Sequence, residues 1–152
     1  MKKIEFTIYS HPFGKRNMMP IKRGRKVFSI NPQENKNYMA IVQDAYLKIR
    51  QDDDFTTDSS VNVEIRAYFG LQKTCYTSKG KITKSGKMKL DGILKPTQKP
   101  DCDNISKAIC DALTGLIWRD DSQITDLYVS KRYAESSRVE ISITIHENKE
   151  NG

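Results

Sequence analysis

The 152-residue chain has the length of one domain, and its 37% hydrophobic and 30% charged residues describe a polar globular protein rather than a disordered one. No stretch is apolar enough to cross a bilayer, and three cysteines without CxxC spacing argue against a disulfide framework or a structural zinc site, so a reducing cytoplasm is the expected home. The net charge of +7 is uneven, with eight Lys or Arg against Glu5 alone in residues 1–30 and eight Lys against Asp91 alone in residues 71–100, which makes an acidic polymer the expected partner and a merely solvated basic face the competing reading.

Met1-Lys2-Lys3 resembles the start of a signal peptide, but Ile4, Phe6 and Ile8 alternate with polar residues instead of forming an apolar run, which reads as a strand. A loop from Ser10 to Arg25 follows, carrying Lys15, Arg16, Lys22, Arg23 and Arg25, before a short apolar run at Val27 to Ile30. Asn31-Pro32 opens an amphipathic helix over residues 33–51, with Tyr38, Ile41, Val42, Ala45, Tyr46 and Ile49 on one face. Residues 52–60 read as an acidic linker, and Val61, Val63, Ile65, Ala67 and Phe69 as a second alternating strand.

Residues 74–99 are rich in Lys, Gly, Ser and Thr, and read as a long basic loop or a loosely held hairpin. Beyond Pro100, Ile105, Ala108, Ile109, Ala112, Leu113 and Leu116 predict a helix over residues 103–116 that ends near Gly115. Two strand patterns close the fold, residues 123–133 and 138–146, joined by the turn 134–137 and followed by a polar tail, residues 148–152. The expected architecture is a single α+β domain, a mixed β-sheet covered by two main α-helices.

The chemistry gathers at Lys99-Pro100-Asp101-Cys102-Asp103-Asn104-Ile105-Ser106-Lys107 and at Trp118-Arg119-Asp120-Asp121, where acids cluster in a basic chain. Asp101 and Asp103 bracket the helix start and Asp121 follows the helix by a short connection, so the three carboxylates can share a divalent cation. Such a cation neutralises charge on a phosphate and lowers the pKa of an attacking water. Mg2+ suits one or two carboxylates completed by water and phosphate oxygens, with Mn2+ a possible substitute. Lys107, one turn after Asp103, is placed to bind the phosphate.

Each residue also has a plainer reading. Asp101 alone is a helix N-cap, Asp103 with Lys107 an i,i+4 ion pair, Asp120-Asp121 a solvated turn and Trp118 a core anchor. One metal site explains the three acids together, where the plainer readings need a separate coincidence for each. Asp111 reads as a supporting or surface acid, Asn104 as a cap or a carboxylate orienter, Cys102 as a small buried residue, and His11 and His146 as surface or packing residues.

The run from Asp101 to Ala108, then Asp111-Ala112-Leu113-Thr114, then Trp118 to Ile124 with Asp126, resembles the signature of RusA-type Holliday junction resolvases. A weaker likeness runs from the first strand through Arg23-Gly24-Arg25 into the first helix, so it covers most of the chain, with residues 1–147 as the RusA-like endonuclease domain and 71–99 as a basic insertion. The resemblance implies a homodimer that binds four-way DNA junctions and makes paired nicks with Mg2+. Asp101, Asp103 and Asp121 are then the metal-binding catalytic acids and Lys107 an essential basic residue. Two departures stand out: Pro100 takes a place where members can carry arginine, and residues 71–99 exceed the shortest members. The expected phosphate contacts are Lys15, Arg16, Arg23, Arg25, Lys79, Lys81, Lys84 and Lys99. The alternatives are a protein that binds branched DNA without cutting it, which paired carboxylates disfavour by repelling phosphates, and an RNA-binding module, for which no RNP-type aromatic motif is present.

Overall fold

The computed structural model describes residues 1–147; the expected polar tail, 148–152, lies outside the described residues. Strict alternation builds the centre. In β1 (Lys2–Ile8) the side chains of Ile4, Phe6 and Ile8 are buried; in β4 (Ser60–Gly70) those of Val61, Val63, Ile65, Ala67 and Phe69; in β6 (Arg138–His146) those of Val139, Ile141, Ile143 and Ile145. A period of two places each set on one face, so pairing the strands sums them into a single apolar surface. That face is covered by α1 (Gln33–Leu47) and α3 (Cys102–Leu113), which pack against each other. The sheet runs β1-β6-β4-β5, with β5 (Ile124–Ala134) parallel to β4 and the other pairs antiparallel, a mixed sheet as expected.

The helices differ in how closely they follow their sequence pattern. On α3, Ile105, Ala108, Ile109, Ala112 and Leu113 are all buried, and the helix stops before Gly115, whose φ of +89° no other residue type adopts comfortably. In α1, Tyr38, Val42 and Tyr46 are buried but Ile41 and Ile49 remain exposed, and the helix ends at Leu47, not at residue 51. The acidic stretch 52–60 is an ordered connection: buried Asp54 accepts hydrogen bonds from Tyr46 Oη (2.8 Å) and Gln51 N (3.0 Å), and Thr56 pairs with the backbone around Trp118.

Two segments differ from expectation. The loop proposed for residues 10–25 and the apolar run after it contain a hairpin, β2 (Met19–Arg23) and β3 (Lys26–Ile30), turned by Gly24 at φ +63°. The long basic loop at 74–99 carries a seven-residue helix, α2 (Lys84–Leu90), capped by Thr83 Oγ1, which accepts from Gly86 N, and set against β5. Strands β5 and β6 are consecutive but not neighbours. Their connection passes over the end of β4, where Gly70 N donates to Ser137 Oγ (2.9 Å) and Leu71 N to the Ala134 carbonyl (3.0 Å). Among the described residues no helix is long and apolar enough to cross a membrane.

Candidate active site

Helix α3 begins where Asp101, in extended conformation, accepts a hydrogen bond from Asn104 N (2.9 Å). Asp103 lies in the first turn, and Lys107 one turn later places its ammonium 3.0 Å from the Asp103 carboxylate. Both side chains are more than half exposed, so this pair contributes only about 0.3–0.5 kcal/mol and either group can turn to a ligand at small cost. Cys102, expected to be buried, is exposed at the first position of the helix, because the start of α3 faces solvent.

The second half of the site is built after α3 ends. Trp118 is wholly buried, a core anchor as its plainer reading held, and its indole N–H donates to Thr114 Oγ1 (3.0 Å) and lies 3.4 Å from Asp121 Oδ1. The Thr114 hydroxyl is 2.5 Å from that same carboxylate oxygen, so Asp121 is held from the helix end and from the core at once. Its neighbour Asp120 has a different task. It caps the turn Asp121–Gln123 by accepting from Ser122 N (2.8 Å), and that backbone contact holds its carboxyl below the usual range. Gln123 completes the turn, accepting from Arg119 N and Asp120 N and donating to the Ser59 carbonyl.

These two pieces face one open cavity of about 370 Å³, whose lining includes Asp103, Lys107, Asp121, Asp111, Ser106 and Cys110. Asp101 does not line it; its carboxylate stays at the helix cap, 3.9 Å from Lys99. Among the described residues no three His, Cys, Asp or Glu side chains stand close enough to form a finished metal cage. Two or three carboxylates around an open cavity nevertheless suit an ion that keeps several of its waters. Burial first, and then the negative field of Asp121 and Asp111, push the Cys110 thiol up to about 12, so it stays neutral in this setting.

The basic residues divide into two groups. Lys15 is ion-paired with Asp111 on α3, and its backbone N donates to the Asn104 carbonyl (2.9 Å), so it fastens the N-terminal segment to the site helix. Arg16, Arg23, Arg25, Lys79, Lys81 and Lys84 are exposed and make no ion pair among the described residues. His11 packs edge-on against Phe69 and bonds Ser137, and His146 ends β6; neither lines the cavity. Thr114 was not singled out by sequence reasoning. Thr114 falls inside the motif, but nothing in its spacing marks it as the residue that holds Asp121.

The family of endodeoxyribonuclease RusA matches residues 10–144, from just after β1 to near the end of β6. The uncharacterized protein YqaN of Bacillus subtilis (strain 168) is 36% identical to the chain over 140 residues, covering 92% of this chain and 94% of that protein.

Proposed function

The chain belongs to the RusA endodeoxyribonuclease family, and from that premise we propose that it is a Mg2+-dependent Holliday junction resolvase acting in recombination or repair. The observation that carries the proposal is the convergence of Asp103, Lys107 and Asp121 on one open cavity although Asp121 lies 14 positions beyond Lys107 in the sequence. Asp103 and Asp121, with Asp101 as the third candidate, offer only hard oxygen donors, which fits Mg2+ and tolerates Mn2+. When bound, the ion supplies charge neutralisation at the phosphate and an activated water.

The protein's own residues do the rest. Thr114 and Trp118 fix the direction of the Asp121 carboxylate, the kind of supporting contact that tunes a metal ligand. Lys107 offers its ammonium to the scissile phosphate once Asp103 is turned toward a cation. Arg16, Arg23, Arg25, Lys79, Lys81, Lys84 and Lys99 are exposed cations available to the flanking phosphates. A homodimer would present two such cavities about a two-fold axis, matching the near-symmetry of a four-way junction and giving paired nicks.

The test compares a four-way junction with a linear duplex of the same arm sequence, in Mg2+ and in EDTA, for the wild type and Asp103→Asn. Expected is Mg2+-dependent nicking of the junction that falls at least 100-fold in Asp103→Asn while junction binding persists. Undiminished cutting by the variant would sink the site assignment, and binding without any cutting would favour the non-catalytic branched-DNA binder.

A further inference from the structure

Hairpin β2–β3 is left bare by the fold. All five residues of β3 and four of the five in β2 are exposed, and neither strand packs substantially on another element. Its register pairs Met19 with Ile30, Ile21 with Phe28 and Arg23 with Lys26. Directly opposed residues share a face, so one side of the ribbon carries four apolar side chains running up to two cations at the turn. Phe28 is 49% exposed and Met19 53%. A two-stranded ribbon of this kind is marginal in water by itself and gains from a surface that covers its apolar side.

The feet of the hairpin, in contrast, are fixed. The buried Asn35 side chain accepts from Arg16 N (2.9 Å) and donates to the Arg16 carbonyl (2.9 Å) and to Asn31 Oδ1 (2.8 Å), clamping both ends of the hairpin to α1. Lys15 ties the same segment to Asp111, and Met18, Asn31 and Asp111 line a small cavity of about 140 Å³. Asp111 also lines the catalytic cavity, one helical turn beyond Lys107. The arm is therefore rooted beside the site of cutting.

Charge selects what covers it. Between Phe6 and Gln33 there is no Asp or Glu, but there are Lys15, Arg16, Lys22, Arg23, Arg25 and Lys26. A second copy meeting this arm about a two-fold axis would set the same cations against each other, whereas DNA phosphates neutralise them. A two-stranded ribbon is narrow enough for the DNA major groove, and exposed apolar side chains of proteins that deform DNA from the minor groove enter between base steps. Entry costs least where bases have already lost their stacking, as at a branch point.

We propose that the β2–β3 hairpin is a wedge that enters the open centre of a branched DNA, with Phe28 and its apolar neighbours against unstacked bases and Arg23 and Lys26 on the flanking phosphates. This rests on the endonuclease reading for the identity of the DNA and adds to it the element that recognises the branch. It makes the hairpin, rather than the catalytic cavity, the source of preference for a junction over a duplex.

The test uses the full chain in EDTA, so that cutting plays no part, with 2-aminopurine at the centre of an immobile four-way junction and at the same step of a linear duplex. Wild type is expected to raise the junction's emission at least two-fold and leave the duplex unchanged. Phe28→Ala should abolish the rise, and Arg23→Ala with Lys26→Ala should lower the salt dependence of binding by about two in log–log slope. Far-UV circular dichroism of each variant checks the fold. An undiminished rise in Phe28→Ala, or failure of the wild type to bind the junction, overturns the wedge. So does a fall in sedimentation coefficient in Phe28→Ala, which would assign the arm to contact between protomers. Cutting in Mg2+ is scored separately: opening without cutting removes the nuclease reading and keeps the wedge, and cutting with no emission change does the reverse.

Discussion

Asp101 and Asp103 are two residues apart and the fold uses them differently. Asp103 lines the open cavity shared with Lys107 and Asp121, while Asp101 has a hydrogen bond to make at the start of α3 whether or not a cation is present. The two roles separate by substitution, because serine caps a helix about as well as aspartate and alanine costs about 1 kcal/mol there. If Asp101 also holds the ion, Asp101→Ser should keep the melting temperature within a degree or two and lose at least 100-fold in nicking, with Asp101→Ala losing both. Retained nicking in Asp101→Ser would make it a cap alone. Asp54 is an acid of another kind, without any place in the site. Burial by itself would raise its pKa, but hydrogen bonds from Gln51 N, Lys2 and Tyr46 outweigh burial and hold it below the usual value. A carboxyl depressed on folding contributes stability that is complete above its unfolded pKa of about 3.9 and is lost as pH falls through the folded value. Asp54→Asn should therefore destabilise the protein by about 1–3 kcal/mol at pH 7, with the gap to wild type narrowing below about pH 4 in melts taken from pH 3 to 7. A gap that stays constant across that range would show that the charge of Asp54 contributes nothing.

At the scale of elements, the segment before β2 is pressed onto the start of α3. A Cβ on Gly14 would stand 2.6 Å from Pro100 Cβ and 3.2 Å from Asn104 Cβ, too near for either to stay in place. Gly14→Ala should cost about 1–3 kcal/mol in urea unfolding and reduce nicking as well, because the displaced residues flank Asp101 and Asp103. Unchanged nicking in a destabilised variant would show that the strap supports the fold but not the site. The legibility of the elements follows from where their contacts lie. The buried strands β1, β4 and β6 and the helix α3 carry a full apolar face, so period two or 3.6 names them directly. The hairpin β2–β3 shows its apolar side to solvent, and α2 holds a glycine among lysines, so neither carries a core-facing pattern. The placing of β5 beside β4, with β6 on the other side, is a long-range choice that no local pattern records. The site divides in the same way. Asp103, Lys107 and Asp121 stood out by type and spacing, whereas Thr114 acts through a contact made only when the helix end meets the turn that follows.

For the whole molecule the question is how one cavity per chain would serve the proposed substrate, which has two strands to cut. Asp103, Lys107 and Asp121 of one chain line one open cavity among the described residues, and the proposed resolution of a junction requires two nicks placed symmetrically. Two protomers about a two-fold axis meet that need if each cuts one strand, and the idea is testable by poisoning half the sites. A supercoiled plasmid that extrudes a cruciform becomes linear only when both strands are cut during one encounter; one cut leaves a nicked circle. Wild type should give mainly linear product. Equal parts of wild type and Asp121→Asn, refolded together so that protomers exchange, should leave about a quarter of the dimers fully active and about half with one working site. Linear product should then fall to about a quarter and nicked circles should accumulate, measured as band ratios on an agarose gel at limiting protein. Linear product that falls only by half, with no nicked circles, would mean that one chain makes both cuts, and the two-fold arrangement would have to be abandoned.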